Sequence, residues 1–348
     1  QLRSQGNDLY VIDNQGLVSN SIISDSTLER LSEAHLNKKK VIYMFGGSTM
    51  FGMGSRLPQF TLPSLTEKIL NEVYDIPSIC INFGLGGTSC TEAFNVLIHK
   101  ALQLGKPTDI VFYDGWNCAT YLPLQFLLED LKEFKHFMHP GEIIRHLEHN
   151  ILIANSFDTK YVFRRLLKLI CHKLMANDFS EMIVDKIDRR RIIERAANKL
   201  FPLRTTDMTS FLISQASIKG DIVKANKKTL AKFESIHKHV ASISNSMGIS
   251  YHHFFQPLVF NGNKQLTNNE SSYQKTGFSS GDPNHYKKFY EMVKESSLTS
   301  YSWFEDFSSI FDSTIEEVFI DSGHLNPLGN ALVSRQIVKK IASSHVPK

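Results

Sequence analysis

The chain has 348 residues, 42% of them hydrophobic and 21% charged, which suits one large globular domain or two small ones. Its net charge of +4 and pI near 8.7 are too mild to point to nucleic acid. No run of about 18 apolar residues occurs, which excludes a transmembrane helix from these residues. The first residues, "QLRSQGNDLY", hold neither a Met nor an apolar signal region, so the chain reads as processed or trimmed with any targeting segment lost. These residues leave the compartment open, and the cell envelope or the exterior is the expectation we carry. Cys80, Cys90, Cys118 and Cys171 show no CxxC spacing and are too few for a disulfide framework.

Residues 1–39 are polar and aperiodic apart from the helix-like "STLERLSEAHLNKKK", and read as an arm packed on a domain of residues 40–348. From Val41 a strand–helix alternation begins. "VIYMF" reads as a buried strand, and "TLPSLTEKILNEVY" as a helix with Thr61 as its cap and Leu62, Leu65, Ile69, Leu70 and Val73 on one face. "SICINFG" is a second strand. "SCTEAFNVLIHKALQLGKP" is a second helix, opened by Ser89 and Glu92 at capping-box spacing and stopped by Gly105 and Pro107. "DIVFYDG" is a third strand. Across 122–247 the strand pattern gives way to apolar residues at helical spacing, which predicts a largely helical insertion whose last helix spans about 207–246. "GISYHHFFQPLVF" returns to strand, placing His252 and His253 on a central strand where a buried histidine needs a hydrogen-bond partner. A polar loop over 261–285 follows, then a helix through Tyr290 and Met292, the strand "EEVFID", and a final amphipathic helix with Pro327 in its first turn. This order predicts an α/β fold: a parallel sheet covered by helices on both faces, a three-layer sandwich.

In an open parallel sheet the ligand crevice lies at the carboxyl ends of the strands. The residues there are Gly46-Gly47-Ser48, then "NFGLGGTS" (82–89), then "DGWNC" (114–118), and last "DSGH" (321–324). A hydroxyl, glycine amides, a side-chain amide and an Asp/His pair are the parts acyl transfer requires. Each has a plainer reading: a turn or cap for Gly47-Ser48, an Asx turn for Asn117, a helix cap and a surface imidazole for Asp321 and His324. "GLGG" lacks the last glycine of a dinucleotide loop, because Ser89 stands there, and no phosphate-binding Gly-Lys-Ser/Thr follows any strand. Their joint occurrence at four strand ends favours chemistry.

These blocks resemble the SGNH (GDSL-type) hydrolases: Ser48 in "FGGSTMFG", Gly87 in "NFGLGGTS", Asn117 in "DGWN", and Asp321 with His324 in "DSGHLNPLGN". Gly47 stands where the GDSL signature has Asp, and Cys118 where the family usually has Asp. The resemblance covers about 40–118 and 245–345. It implies a flavodoxin-like fold and a serine esterase with Ser48 as nucleophile, His324 as base and Asp321 as its orienter. The oxyanion donors would be the Ser48 amide, the Gly87 amide and the Asn117 side chain, with no metal or organic cofactor required. Similarity to sequences of the "FYDGWN…FFQP…DxxHLxxxGN" kind implies an O-acyl, above all O-acetyl, group on a carbohydrate or similar polar substrate. The same site could pass the acyl group to a sugar hydroxyl instead of water. A binding protein that keeps the fold without catalysis is the rival from another class.

Two further features stay outside that reading. His136, His139, His146 and His149 lie in pairs at i,i+3 spacing, but Pro140-Gly141 breaks the helix between them and no carboxylate or Cys pattern completes a metal site. Residues 160–204 carry twelve Lys/Arg against five Asp/Glu, a solvated helical face or a patch for anionic polysaccharide or lipid headgroups.

Overall fold

The structure is a computed structural model that describes residues 2–5, 8–12, 17–18, 26–130, 221–276 and 283–343. The chain divides into two compact units, Gln1–Lys135 with Ile213–Phe278 and Asp282–Lys348, and His136–Leu212 with Ser279–Gly281. Every described residue belongs to the first. The histidine pairs of 136–149, the basic stretch 160–204 and Cys171 lie outside the described residues.

The strands are β1 (Leu2–Gln5), β2 (Asp8–Val11), β3 (Lys40–Gly46), β4 (Ser78–Asn82), β5 (Asp109–Asp114), β6 (Ser250–Phe255) and β7 (Phe304–Asp306). The α-helices, numbered among the described residues, are α1 (Thr27–Leu36), α2 (Ser48–Phe51), α3 (Leu62–Glu72), α4 (Cys90–His99), α5 (Trp116–Asp130), α6 (Asp221–Ser246), α7 (Asn268–Thr276), α8 (Pro283–Lys294) and α9 (Pro327–Ser343). β1 and β2 form an antiparallel hairpin, and Val18 bridges to Asn82 at the edge of the main sheet.

The main sheet has five strands in the order β4-β3-β5-β6-β7, every pair parallel. Counted by chain order within this sheet, that is the flavodoxin-like order 2-1-3-4-5. Every residue of β3, β4 and β5 is buried, as unbroken apolar runs such as "VIYMF" require when both faces are covered. β4 and β5 lie on opposite sides of β3, so right-handed connections put α3 and α4 on opposite faces of the sheet. α3 packs on β4 and against α9, while α4 meets α6, which lies on β6 and along α5. The result is a three-layer α/β/α sandwich. Between the layers Phe45 stacks on Phe83 and Phe112, with ring centroids 4.9 and 5.0 Å away.

Local chemistry sets the helix starts. Ser89 and Glu92 form the reciprocal capping box on α4, and Thr61 accepts the Ser64 amide at the start of α3. At the amino ends of the strands Lys40 Nζ sits 2.8 Å from Asp109 Oδ2, and His252 Nε2 sits 3.2 Å from Oδ1. Burial works to raise the Asp109 carboxyl, but His252 and Lys40 outweigh it and hold it down at about 2.

Two sequence expectations change. "EEVFID" is not a strand of the sheet; the edge position belongs to β7, "FED". Residues 318–326 instead turn back on themselves, with Phe319 bridging Leu325, Ile320 N donating to His324 O (3.0 Å) and Asn326 N donating to Val318 O (2.9 Å). The buried Glu270 carboxylate accepts the Val318 and Phe319 amides (3.0 and 3.2 Å), so those donors are spent before a sheet neighbour could use them. Glu270 also explains the second change, because it belongs to α7, a helix inside the stretch read as a polar loop. There it pairs with Lys264 Nζ (2.8 Å) and accepts the Thr267 amide (3.0 Å).

Candidate active site

Ser48 opens α2 directly after β3, with 8% of its surface exposed. The two glycines before it answer to close contacts. A Cβ on Gly46 would come 2.3 Å from the Tyr113 carbonyl oxygen of β5, and one on Gly47 would come 2.3 Å from Asn117 Nδ2. Behind them, Leu85 N donates to Gly46 O (3.1 Å) and Phe83 N to Met44 O (2.8 Å), clamping the loop after β4 onto the end of β3. Gly87 in that loop has φ +71, and a Cβ there would meet only the Tyr121 hydroxyl at an ordinary 3.9 Å, so the left-handed backbone, and not crowding, selects glycine.

Asn117 is the second residue of α5. One of its two amide N–H groups donates to Thr88 O at 2.9 Å, joining the loops after β4 and β5. The other has no acceptor among the described residues, and neither do the backbone amides of Ser48 and Gly87. Three donors from three loops are thus uncommitted at the carboxyl rim, beside the strand where the sheet order reverses. Next to Asn117, Cys118 is buried, and its sulfur accepts the Cys90 amide (3.1 Å) at the start of α4. That contact is the local role of the residue standing where an Asp was expected.

The turn after Ile320 carries the remaining pair. Asp321 Oδ1 accepts the amides of Gly323 (2.9 Å) and His324 (2.8 Å), while Oδ2 lies 2.6 Å from His324 Nδ1. The opposite ring nitrogen, Nε2, lies 2.6 Å from Ser48 Oγ. A carboxylate only accepts, so Nδ1 carries the proton and Nε2 is free to accept the Ser48 hydroxyl. Burial works to raise the Asp321 carboxyl; the His324 ring and the two amides outweigh it and hold it below the usual carboxylate range. Trp116 closes one side, its ring edge-on to the imidazole at 5.1 Å. Gly323 leaves room for this, since a Cβ there would lie 2.5 Å from the Trp116 ring. Ser48, His324 and Asp321 therefore form one hydrogen-bonded line, and Asn117 reaches the same rim.

Sequence reading missed a buried group beneath the rim. His253 Nε2 lies 2.8 Å from Asp114 Oδ1, His237 Nε2 lies 3.4 Å from the same oxygen, and His237 Nδ1 meets the Tyr251 hydroxyl at 2.7 Å. Burial, with the stacked His237 beside it, holds the His253 imidazole down at about 4. The donor atoms of Asp114, His237 and His253 lie within 4.8 Å of one another, close enough to suggest a cation. The two rings, however, stack 3.7 Å apart and 13° from parallel, so their in-plane lone pairs run side by side and do not converge on one point. The group is better described as a hydrogen-bonded stack. "YDGWN" and "HHFF" carried its Asp114 and His253, but His237 lies on α6 with no spacing that ties it to them.

No protein-family model matches the chain, and no curated protein does. Solved structures to which it is similar include a lipolytic protein of the G-D-S-L family from Desulfitobacterium hafniense DCB-2, at 10% identity and TM-score 0.39, covering 87% of this chain and 99% of that one. An acetyl xylan esterase, AlAXEase, is 13% identical at TM-score 0.40, covering 88% of this chain and 100% of that one. A mutant acetyl-xylooligosaccharide esterase from Geobacillus Stearmophilus is 12% identical at TM-score 0.40, covering 87% of this chain and 94% of that one.

Proposed function

We propose that the chain is a serine esterase of the SGNH type. The observation that carries this reading is the unbroken line from Ser48 Oγ to His324 Nε2 and from His324 Nδ1 to Asp321 Oδ2, each link 2.6 Å. Ser48 Oγ attacks the ester carbonyl as His324 Nε2 takes its proton. The carbonyl oxygen becomes an oxyanion facing the Ser48 amide, the Gly87 amide and the spare N–H of Asn117, donors already in place before charge develops. Collapse breaks the ester C–O bond, and His324 returns its proton to the departing alkoxide. Water then repeats the sequence on the acyl-serine: His324 takes a proton from the water, the carboxylic acid leaves, and Ser48 regains its hydrogen. Asp321 stays ionised throughout and stabilises the imidazolium.

The substrate class we propose is an O-acetyl ester on a carbohydrate or similar polar alcohol, which rests on the resemblance of "FYDGWN", "FFQP" and "DSGHLNPLGN" to sequences of that kind. A fluorophosphonate probe, read by mass spectrometry, should label Ser48, and Ser48→Ala should take no label. Acetate release from a panel of acetylated polysaccharides, set beside short- and long-chain p-nitrophenyl esters, identifies the acyl group. An unlabelled wild type whose turnover equals that of Ser48→Ala would overturn the esterase reading.

A further inference from the structure

Gln256 follows β6 at the carboxyl rim, and its side chain is 5% exposed. Its Nε2 donates to Thr49 Oγ1 at 3.1 Å and to the Gly323 carbonyl at 3.2 Å. Thr49 is the residue after Ser48, and Gly323 is the residue before His324. A single side-chain amide thus joins the two backbone segments that carry the hydroxyl and the imidazole, 207 and 67 residues away from it in the chain. The Gly323 carbonyl can only accept, which fixes the amide orientation with Nε2 on this side. Gln256 is itself held at both ends of its backbone: its N–H donates to Asp114 O (2.9 Å), and its carbonyl accepts the Tyr290 hydroxyl (2.7 Å).

The geometry points to Gln256 as a positioning residue that sets the separation of Ser48 and His324, an inference that rests on the esterase reading. The physical reason lies in the amide group. Its two N–H bonds diverge at a fixed angle within one plane, so both segments are held by one rigid fork. A carboxylate of the same shape has no N–H and would set an oxygen against the Gly323 carbonyl. Methionine fills the space without either bond. Both side-chain bonds of Gln256 go to Thr49 and Gly323, the neighbours of Ser48 and His324, so its loss should act on the chemical step and leave ground-state binding alone.

The test is steady-state hydrolysis of p-nitrophenyl acetate by the wild type, Gln256→Met, Gln256→Glu and Thr49→Val, with melting temperatures for each. We expect kcat to fall about 10- to 100-fold in both Gln256 variants, the size expected of an ångström-scale misplacement, with KM within about twofold. Thr49→Val removes one arm of the fork in a side chain of nearly equal volume, so it keeps the question open to refutation should a Gln256 variant not fold. We expect kcat to fall about 3- to 10-fold in it, again at constant KM. Folded Gln256 variants with wild-type kcat, or losses that appear in KM alone, would overturn the positioning role while leaving the esterase reading intact. A wild type that neither turns over nor takes the fluorophosphonate label would remove both.

Discussion

Gly47→Ala tests the rim at its tightest point. The new Cβ would lie 2.3 Å from Asn117 Nδ2, against the 3.4–4 Å of ordinary contact, and 3.4 Å from the Thr88 carbonyl that anchors Asn117. The backbone at Gly47, φ −81 and ψ −150, accepts an L side chain, so no main-chain strain is added. Nδ2 is the tip of a side chain and can swing away, which keeps the stability change within about 1 kcal/mol and the melting shift within about 4 °C. Swinging away, however, removes one of the three donors proposed for the oxyanion. That loss should lower kcat about 10²- to 10³-fold, or about 2.7–4 kcal/mol. The assay is kcat for p-nitrophenyl acetate in a double-mutant cycle with Asn117→Ala. If the effect runs through Asn117, adding Gly47→Ala to Asn117→Ala changes kcat by less than about twofold. Wild-type kcat in Gly47→Ala, or an equally large drop in the Asn117→Ala background, would refute the reasoning. The same contact means that an Asp placed at position 47 would harm this chain.

Asp321→Asn keeps the oxygen that accepts the Gly323 and His324 amides but turns an N–H toward His324 Nδ1. The imidazole then carries its proton on Nε2 and cannot accept from Ser48, so kcat should fall about 10⁴-fold with little change in melting temperature; titrating the fluorophosphonate labelling rate measures this directly. Asp109 makes a prediction about acid stability. Its carboxyl is held at about 2 in the fold against 3.8 ordinarily, so the unfolded chain binds more protons and stability rises with pH through that interval. The contribution, about 2 kcal/mol, is complete above about pH 4 and lost as pH falls toward 2. Urea midpoints measured across that window should fall in the wild type, with a visibly flatter fall in Asp109→Asn.

Strands β3, β4 and β5 are readable from sequence because a strand buried on both faces carries a near-continuous apolar run, and β6 because Tyr251, Phe254 and Phe255 flank its two histidines. Thr61, Ser89 and Glu92 are readable because caps are local chemistry. Three blocks of the site could be gathered for a similar reason: parallel topology brings the carboxyl ends of β3, β4 and β5 to one rim, whatever lies between them in the chain, whereas Asp321 and His324 reach that rim on a turn and not on a strand end. β7 escaped because "FED" is three residues at an edge, two of them charged. "EEVFID" misled because Val318-Phe319-Ile320 has the look of a strand, while what decides its pairing is a carboxylate on α7 some 48 residues earlier. The same limit hid Gln256: one residue with two long-range hydrogen bonds leaves no periodicity behind. The 122–247 insertion is helical at its described ends, α5 and α6, and its remaining residues lie outside the described ones.

Ser48 and His324 are 276 residues apart in the chain. Once β3, β4 and β5 have paired, the hydroxyl and all three uncommitted donors are already assembled from residues before 118. Such an intermediate would be chemically silent, since its serine has no base. Reactivity needs the 318–326 turn docked as well, and a contact across so long a stretch of chain is expected to form slowly. The appearance of probe labelling during refolding would then serve as a stopwatch for completion of the fold, lagging behind the fluorescence and circular dichroism that report its earlier stages.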